Sequence, residues 1–212
     1  MRFNEQGRSM IEMLGVLAIV GVLSVGGIAG YSKAMNKFKT NKLIEQVNMI
    51  STNVRTLYAS QKSYENLTNG AAIRTGVLPN EMVTDASAGV SVTSSGITNA
   101  FAGQVIITTG GVKEDDDNGA FIVSMNKIPE ASCVSIATTE WGGDAGGGLL
   151  AMTIVGESDE TATGATTIQA ADLGDADDDN IFTVGAGELP ISVVAAASLC
   201  KSADNVIAWK YM

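Results

Sequence analysis

An α+β fold, in which a long N-terminal α-helix packs on an antiparallel β-sheet head, follows from three features of the 212-residue sequence. Met13 to Ser32 carries no formal charge and runs directly into apolar residues spaced by alternating steps of four and three, the pattern of one helix that changes surroundings along its length. Beyond about residue 66, short β-branched runs alternate with Gly, Ser, Thr and Asp, which reads as strands joined by turns. Cys133 and Cys200 are the only two cysteines, the right number for one disulfide-bounded region in the head and too few for a structural zinc site.

Composition removes several function classes. Histidine is absent, so neither a Ser-His-Asp triad nor a Cys-His pair can form, and no catalytic residue, metal ligand or cofactor is expected. The net charge of −10 argues against direct nucleic-acid binding, which needs clustered Lys and Arg facing phosphate. That charge is unevenly divided. Residues 1–62 hold eight basic side chains against three acids, a net of +5, which leaves −15 for residues 63–212. Two bodies in different surroundings are implied, the first near a membrane or a partner and the second in open solvent.

The uncharged run reaches roughly 30 Å as a helix, enough to cross a bilayer. It is apolar on every face, which a core helix of a chain this size could not bury. It is also longer than the apolar core of a secretory signal, and no Ala-x-Ala site precedes Lys33. Glu12 stands at its mouth. A carboxylate there is costly to desolvate and points to a function and a partner, against the plainer reading of a charge among lipid headgroups. Gly15, Gly21, Gly26, Gly27 and Gly30 load the run with residues that each cost a helix about 1 kcal/mol relative to Ala. Gly26 and Gly30 make a small-xxx-small face for close helix packing, and Gly21 with Gly26-Gly27 marks where the helix could lengthen or melt.

After Ser32 the pattern becomes amphipathic, with Met35, Phe38, Leu43, Val47, Ile50, Val54 and Leu57 on the apolar side. One stem helix over residues 8–62, roughly 80 Å long, is expected, ended by the polar stretch Ser63 to Asn69 and Gly70. The periodic part covers about two heptads, short for an independent coiled coil and long enough to back a globular domain. In the head, residues 63–212, the expected strands are Gln104 to Thr109, Ala120 to Met125, Leu149 to Val155, Ile181 to Val184 and Val206 to Tyr211. The last alternates Ile207, Trp209 and Tyr211 with Val206, Ala208 and Lys210, which predicts one buried face. Pro129 is expected to start a helix holding Cys133, and Pro190 another that ends at Leu199-Cys200-Lys201. A Cys133–Cys200 bond would be mechanical in function, the alternative being two buried free thiols. Glu114 to Asp117 and Asp175 to Asp179 raise a calcium reading, but an EF-hand starting at Asp175 would place Asn180 and Ala186 where Gly and Glu are needed. Solvated acidic loops are the expectation.

The N-terminal residues resemble the type IV pilins and their pseudopilin relatives. A short polar leader ending in Gly7, a following Arg8, Glu12 as the fifth residue after Gly7 and an uninterrupted apolar run carry that resemblance. It implies a leader of residues 1–7 cut between Gly7 and Arg8 by a prepilin peptidase, then N-methylation of Arg8, which stands where the family usually places an apolar residue. It also implies that Glu12 pairs with the N-terminal amine of a neighbouring subunit, the opposite charge that makes burial tolerable. Phe121 to Cys133, the Leu199-Cys200-Lys201 triplet and the closing hydrophobic strand resemble the type IVb pilins, including toxin-coregulated and conjugative thin-pilus subunits. In those, the cysteine-bounded region is the exposed filament face and the terminal strand lies within the sheet. The expected function is a structural major pilin, held by residues 13–32 in the bacterial inner membrane and then polymerised with copies of itself by the pilus assembly machinery into an extracellular filament for adhesion, aggregation or DNA transfer. A minor pilin, a secretion-system pseudopilin and a membrane-anchored binding protein that never polymerises are the alternatives.

Overall fold

The apolar run and the stripe behind it lie on one helix, α1 (Gln6–Tyr58), in the computed structural model, which describes residues 6–61, 63–84, 96–112, 118–142, 147–156, 181–185 and 187–212. All three prolines lie beyond Leu78, so nothing in the stem breaks the backbone ladder. The helix stops at Tyr58, short of the expected residue 62, where the N–H groups of Ala59 and Gln61 close turns onto the carbonyls of Thr56 and Tyr58. The chain divides into two compact units, Met1–Phe38 and Lys39–Met212, so the second half of α1 belongs to the head.

That half is held by its apolar stripe. Leu43, Val47, Ile50 and Val54 are fully buried and share one core with Phe121, Trp209 and other residues of the sheet. Phe38 and Leu57, read as members of the stripe, are instead exposed. Five residues separate Phe38 from Leu43, about 140° around the helix, so the step of five carries Phe38 off the buried face. Leu57 lies in the last turn, where the helix ends.

All five expected strands form one antiparallel sheet: β1 (Val105–Gly110), β2 (Ala120–Ile128), β3 (Leu149–Gly156), β4 (Ile181–Thr183) and β5 (Asn205–Tyr211), in the order β1-β2-β5-β3-β4. Strand β4 stops at Thr183 rather than Val184. Strand β5, last in the chain, is the central strand, paired with β2 through Val123↔Trp209 and with β3 through Met152↔Trp209. The expectation that only one of its faces is buried fails, because Val206, Ala208 and Lys210 are buried as well. A second apolar cluster on the other face, formed by Ile122, Ala151, Ile181 and Ala208 with Ile106 against it, accounts for this. Period-2 reading gives the two faces of a strand but not what covers them, and a central strand is covered on both.

Among the described residues, three short α-helices and a 3-10 turn at Asn80–Met82 complete the head. Helix α2 (Asn69–Thr75) was not expected, since Gly70 was read as the end of the stem. Its ends carry ordinary signals: the Thr68 side chain accepts the Ala71 N–H at 3.2 Å, and Gly76 closes the helix at φ +68°. Helix α3 (Glu130–Ala137) starts after Pro129 as expected. Helix α4 (Val193–Leu199) does not start at Pro190, because the hydroxyl of Ser192 accepts the Ala195 N–H and makes Ser192 the cap. Cys133 of α3 and Cys200 at the end of α4 are joined by a disulfide with Cα atoms 5.8 Å apart, and both are fully buried.

The core places two aromatic polar atoms in unusual positions. Among the described residues, the indole N–H of Trp209 and the hydroxyl of Tyr211 are buried without a hydrogen-bond partner. Burial pushes the Tyr211 phenol well above its ordinary range, while the Ser51 side chain, close by but outside hydrogen-bond geometry and donating to the Asn48 carbonyl, and the Arg55 charge pull the other way. Burial also raises Tyr58 and Tyr64. A phenol with a raised folded pKa contributes stability that is intact below the unfolded value of about 10 and is lost as pH climbs toward the folded one. Tyr211→Phe is therefore expected to be neutral or stabilising by about 1 kcal/mol at pH 7, since it removes an unpaired buried hydroxyl. Thermal melts in steps up to about pH 11 should fall less steeply for the variant, with a residual slope from Tyr58 and Tyr64. A variant that melts lower than the parent at pH 7 would show that the hydroxyl is hydrogen-bonded after all.

Candidate assembly site

A helix that is apolar on all sides can be stable only where something other than water surrounds it. The first unit of this chain is such a helix: its large apolar side chains are exposed, from Met10 at 72% to Ile28 at 69%. The Ser24 hydroxyl donates to the Val20 carbonyl at 2.7 Å, as hydroxyls do in helices that sit in lipid or among other helices.

Gly7 and Arg8 lie in the first turns of α1, where only the backbone is described. Glu12 is exposed one turn further on, four residues from Arg8, so the two positions are neighbours on one helix face. A Cβ placed on Gly15, Gly21, Gly26, Gly27 or Gly30 would meet nothing within 4 Å. The chain by itself therefore supplies no steric reason for five glycines, and the helix carries their propensity cost uncompensated. Gly26 and Gly30, four apart, do present a continuous groove where another helix backbone could approach.

The second unit has a buried core of its own. The side chain of Asn69 covers the outer edge of β1, its Nδ2 donating to the Val105 carbonyl at 2.8 Å and its Oδ1 accepting the Ile107 N–H at 2.6 Å. An open edge is a template for unwanted pairing, and this amide blocks it. Gln46 on α1 accepts the Ala100 N–H at 3.1 Å, and the Thr40 hydroxyl donates to that of Ser132 at 2.9 Å, so polar bonds as well as apolar burial fix the helix to the head. Lys42 meets Glu81 at 3.2 Å in a half-exposed ion pair of the kind that contributes at most about 1 kcal/mol. Lys39 stands 5.8 Å over the Phe101 ring.

A cavity of about 230 Å³ opens beside Trp141, Leu149 and Pro190. Glu140 is the one carboxylate among the described residues lining it. Among the described residues no three metal-ligating side chains converge. The acidic runs Glu114 to Asp117 and Asp175 to Asp179 lie outside the described residues. What the sequence reading missed are the Asn69 edge cover and the burial of Lys210. The Thr68-Asn69 and Gly76 signals could have revealed the helix carrying Asn69, whereas nothing local marks a lysine as belonging to a central strand.

Comparison with known proteins bears on the same surfaces. The family profile described as PilS N terminal matches residues 37–185. The chain is 26% identical over 201 residues to the major structural subunit of bundle-forming pilus of Escherichia coli O127:H6, covering 95% of this chain and 90% of that protein. It is 25% identical over the same length to the corresponding subunit of Escherichia coli O111:H-. The fold is similar to the crystal structure of a type IVb pilin from Salmonella typhi, with TM-score 0.51 and 19% identity over 81% of this chain and 98% of that one. It is similar also to TcpA, a type IV pilin from Vibrio cholerae El Tor biotype, with TM-score 0.52 and 16% identity over 82% and 99% of the two chains.

Proposed function

This chain belongs to the PilS N-terminal family, and from that premise we propose that it is the major structural subunit of a type IVb pilus, with no catalytic role. The observation that carries the reading is the exposed apolar helix of Met10 to Ile28 attached to a head whose own core is complete without it. Such a helix is accommodated first by the inner membrane and then by the same helix of sister subunits. Lipid and protein are similarly apolar, so transfer between them is decided by packing and by polar pairing. The five glycines let helix backbones approach, and Glu12 supplies the polar term.

On this proposal a prepilin peptidase cuts between Gly7 and Arg8, the new amine on Arg8 is methylated, and Glu12 of one subunit pairs with that amine on the next. Assembly machinery in the inner membrane draws the processed chains into an extracellular filament, with the cysteine-bounded region of the head outward. Residues 8–62 then form the stem and residues 63–212 the head.

Replacement of Gly7 by valine tests the reading as a whole. The expected result is an uncut precursor in the membrane fraction, no N-terminal sequence beginning at Arg8, and a surface bare of fibres by electron microscopy. Fibres of normal abundance from uncut Gly7→Val chains, or a parent chain found only as dispersed monomers, would overturn it.

A further inference from the structure

We propose that Lys127 is a docking cation for the acidic head of a second copy of this chain, an inference that rests on the filament reading above. Strand β2 is buried along its length except at one place. Between Met125 and Ile128 its register against β5 slips, and there Lys127 takes φ +58° and stands exposed. A bulge residue in the left-handed region is where glycine sits without strain, and any side chain with a Cβ is disfavoured. The kink is nonetheless pinned: the Asn126 side chain accepts the Gln104 N–H at 2.6 Å, and its carbonyl accepts the Asn99 side-chain N–H at 2.8 Å.

A bulge re-aims one side chain out of the pleat, and backbone strain persists where a function uses it. Among the described residues the Lys127 side chain makes no hydrogen bond or ion pair that would favour lysine over glycine at this φ.

Charge identifies the partner. Residues 63–212 carry a net −15, and a filament brings such heads side by side, where like charges oppose packing. Within residues 63–212 the cations that can offset this are Arg74, Lys113, Lys127, Lys201 and Lys210, while Lys39, Lys42 and Arg55 on the part of α1 that belongs to the head already engage Phe101, Glu81 and the Gly147 carbonyl. Lys113 lies outside the described residues and Lys210 is buried. Arg74, Lys127 and Lys201 are exposed, and of these Lys127 alone is mounted on a strand of the sheet. A fixed cation aimed away from an acidic body complements the acidic face of the next such body, giving register as well as attraction.

The test compares full-length chains carrying Lys127→Arg, Lys127→Gln, Lys127→Glu and Lys127→Gly in the pilus-producing cell, reading sheared filament yield and the melting temperature of each purified chain. Lys127→Arg should assemble like the parent. Lys127→Gln should lower yield about threefold or more at ~0.15 M salt with its melting temperature unchanged, and Lys127→Glu should lower it further. Lys127→Gly should melt higher than the parent, its strain relieved, yet assemble no better than Lys127→Gln. Parental yields from the Gln and Glu variants, a fall in melting temperature that tracks the fall in yield, or full assembly by the Gly variant would each overturn the proposal while leaving the pilus reading intact. A parent chain that forms no filaments sinks both.

Discussion

Exchanging Glu12 for alanine or glutamine is expected to reduce incorporation into filaments by two orders of magnitude or more while the head folds as before. The sign of this result separates two accounts of assembly. If burial of apolar surface alone drove polymerisation, removing a carboxylate from the mouth of a greasy helix would help, because an ion costs several kcal/mol to bring out of water. If Glu12 instead neutralises the amine of an adjacent subunit, its loss leaves that amine buried and unpaired. Breaking one side of a buried pair costs about 3–5 kcal/mol, or roughly 10²- to 4 × 10³-fold in the equilibrium. Glutamine keeps the shape and hydrogen-bonding reach of glutamate, so a defect shared by both variants assigns the effect to charge. Filament mass in sheared fractions, normalised to processed subunit in the membrane, reads this directly. Normal incorporation of both variants would end the charge-pairing account.

The second large effect is expected at the disulfide. Cys133 and Cys200 are separated by 67 residues, and closing a loop of that size restrains the unfolded chain by about 4 kcal/mol in the loop-entropy model. The bond also joins α3 to α4, two helices of eight and seven residues that are too short to persist alone. Cys133→Ser or Cys200→Ser should therefore lower the melting temperature by about 8–16 °C, at roughly 2–4 °C per kcal/mol for a domain of this size. Both sulfurs are fully buried, so the serine hydroxyls would add a desolvation penalty that reduction of the parent does not. Comparing the two variants with the parent melted under reducing conditions separates that penalty from the loss of the cross-link. An unchanged melting temperature in all three would mean the loop is already ordered without its bond.

Much of this was legible along the chain because the signals were local. Leu43, Val47, Ile50 and Val54 repeat at helical spacing, and that repeat placed the helix that backs the core. Five β-branched runs between turn residues gave five strands to within one residue at their ends, except that β2 runs three residues past Met125, through the bulge, to Ile128. The misses have a common physical origin. Phe38 has the right residue type but the wrong angle, and only the position of the sheet decides which angle is buried. Lys210 alternates as a surface residue should, yet β5 lies between β2 and β3 with a second apolar cluster over its outer face. Pro190 looked like a helix start, but the competing cap at Ser192 lay two residues on and won. For the candidate assembly site, Gly7, Arg8, Glu12 and the glycines were named from their order and from the resemblance that order carries, and the partners proposed for them lie in other copies, which one chain does not display.

The position of β5 has a consequence for biogenesis. Until residues 205–211 have been synthesised, the β1-β2 hairpin and the β3-β4 pair each present an unfilled hydrogen-bonding edge where the missing strand will go. Translation therefore delivers the keystone after the four strands it joins, and the nascent head must wait in a state prone to pair with its neighbours. Truncation before Asn205 should accordingly yield aggregates at the membrane rather than a smaller soluble head.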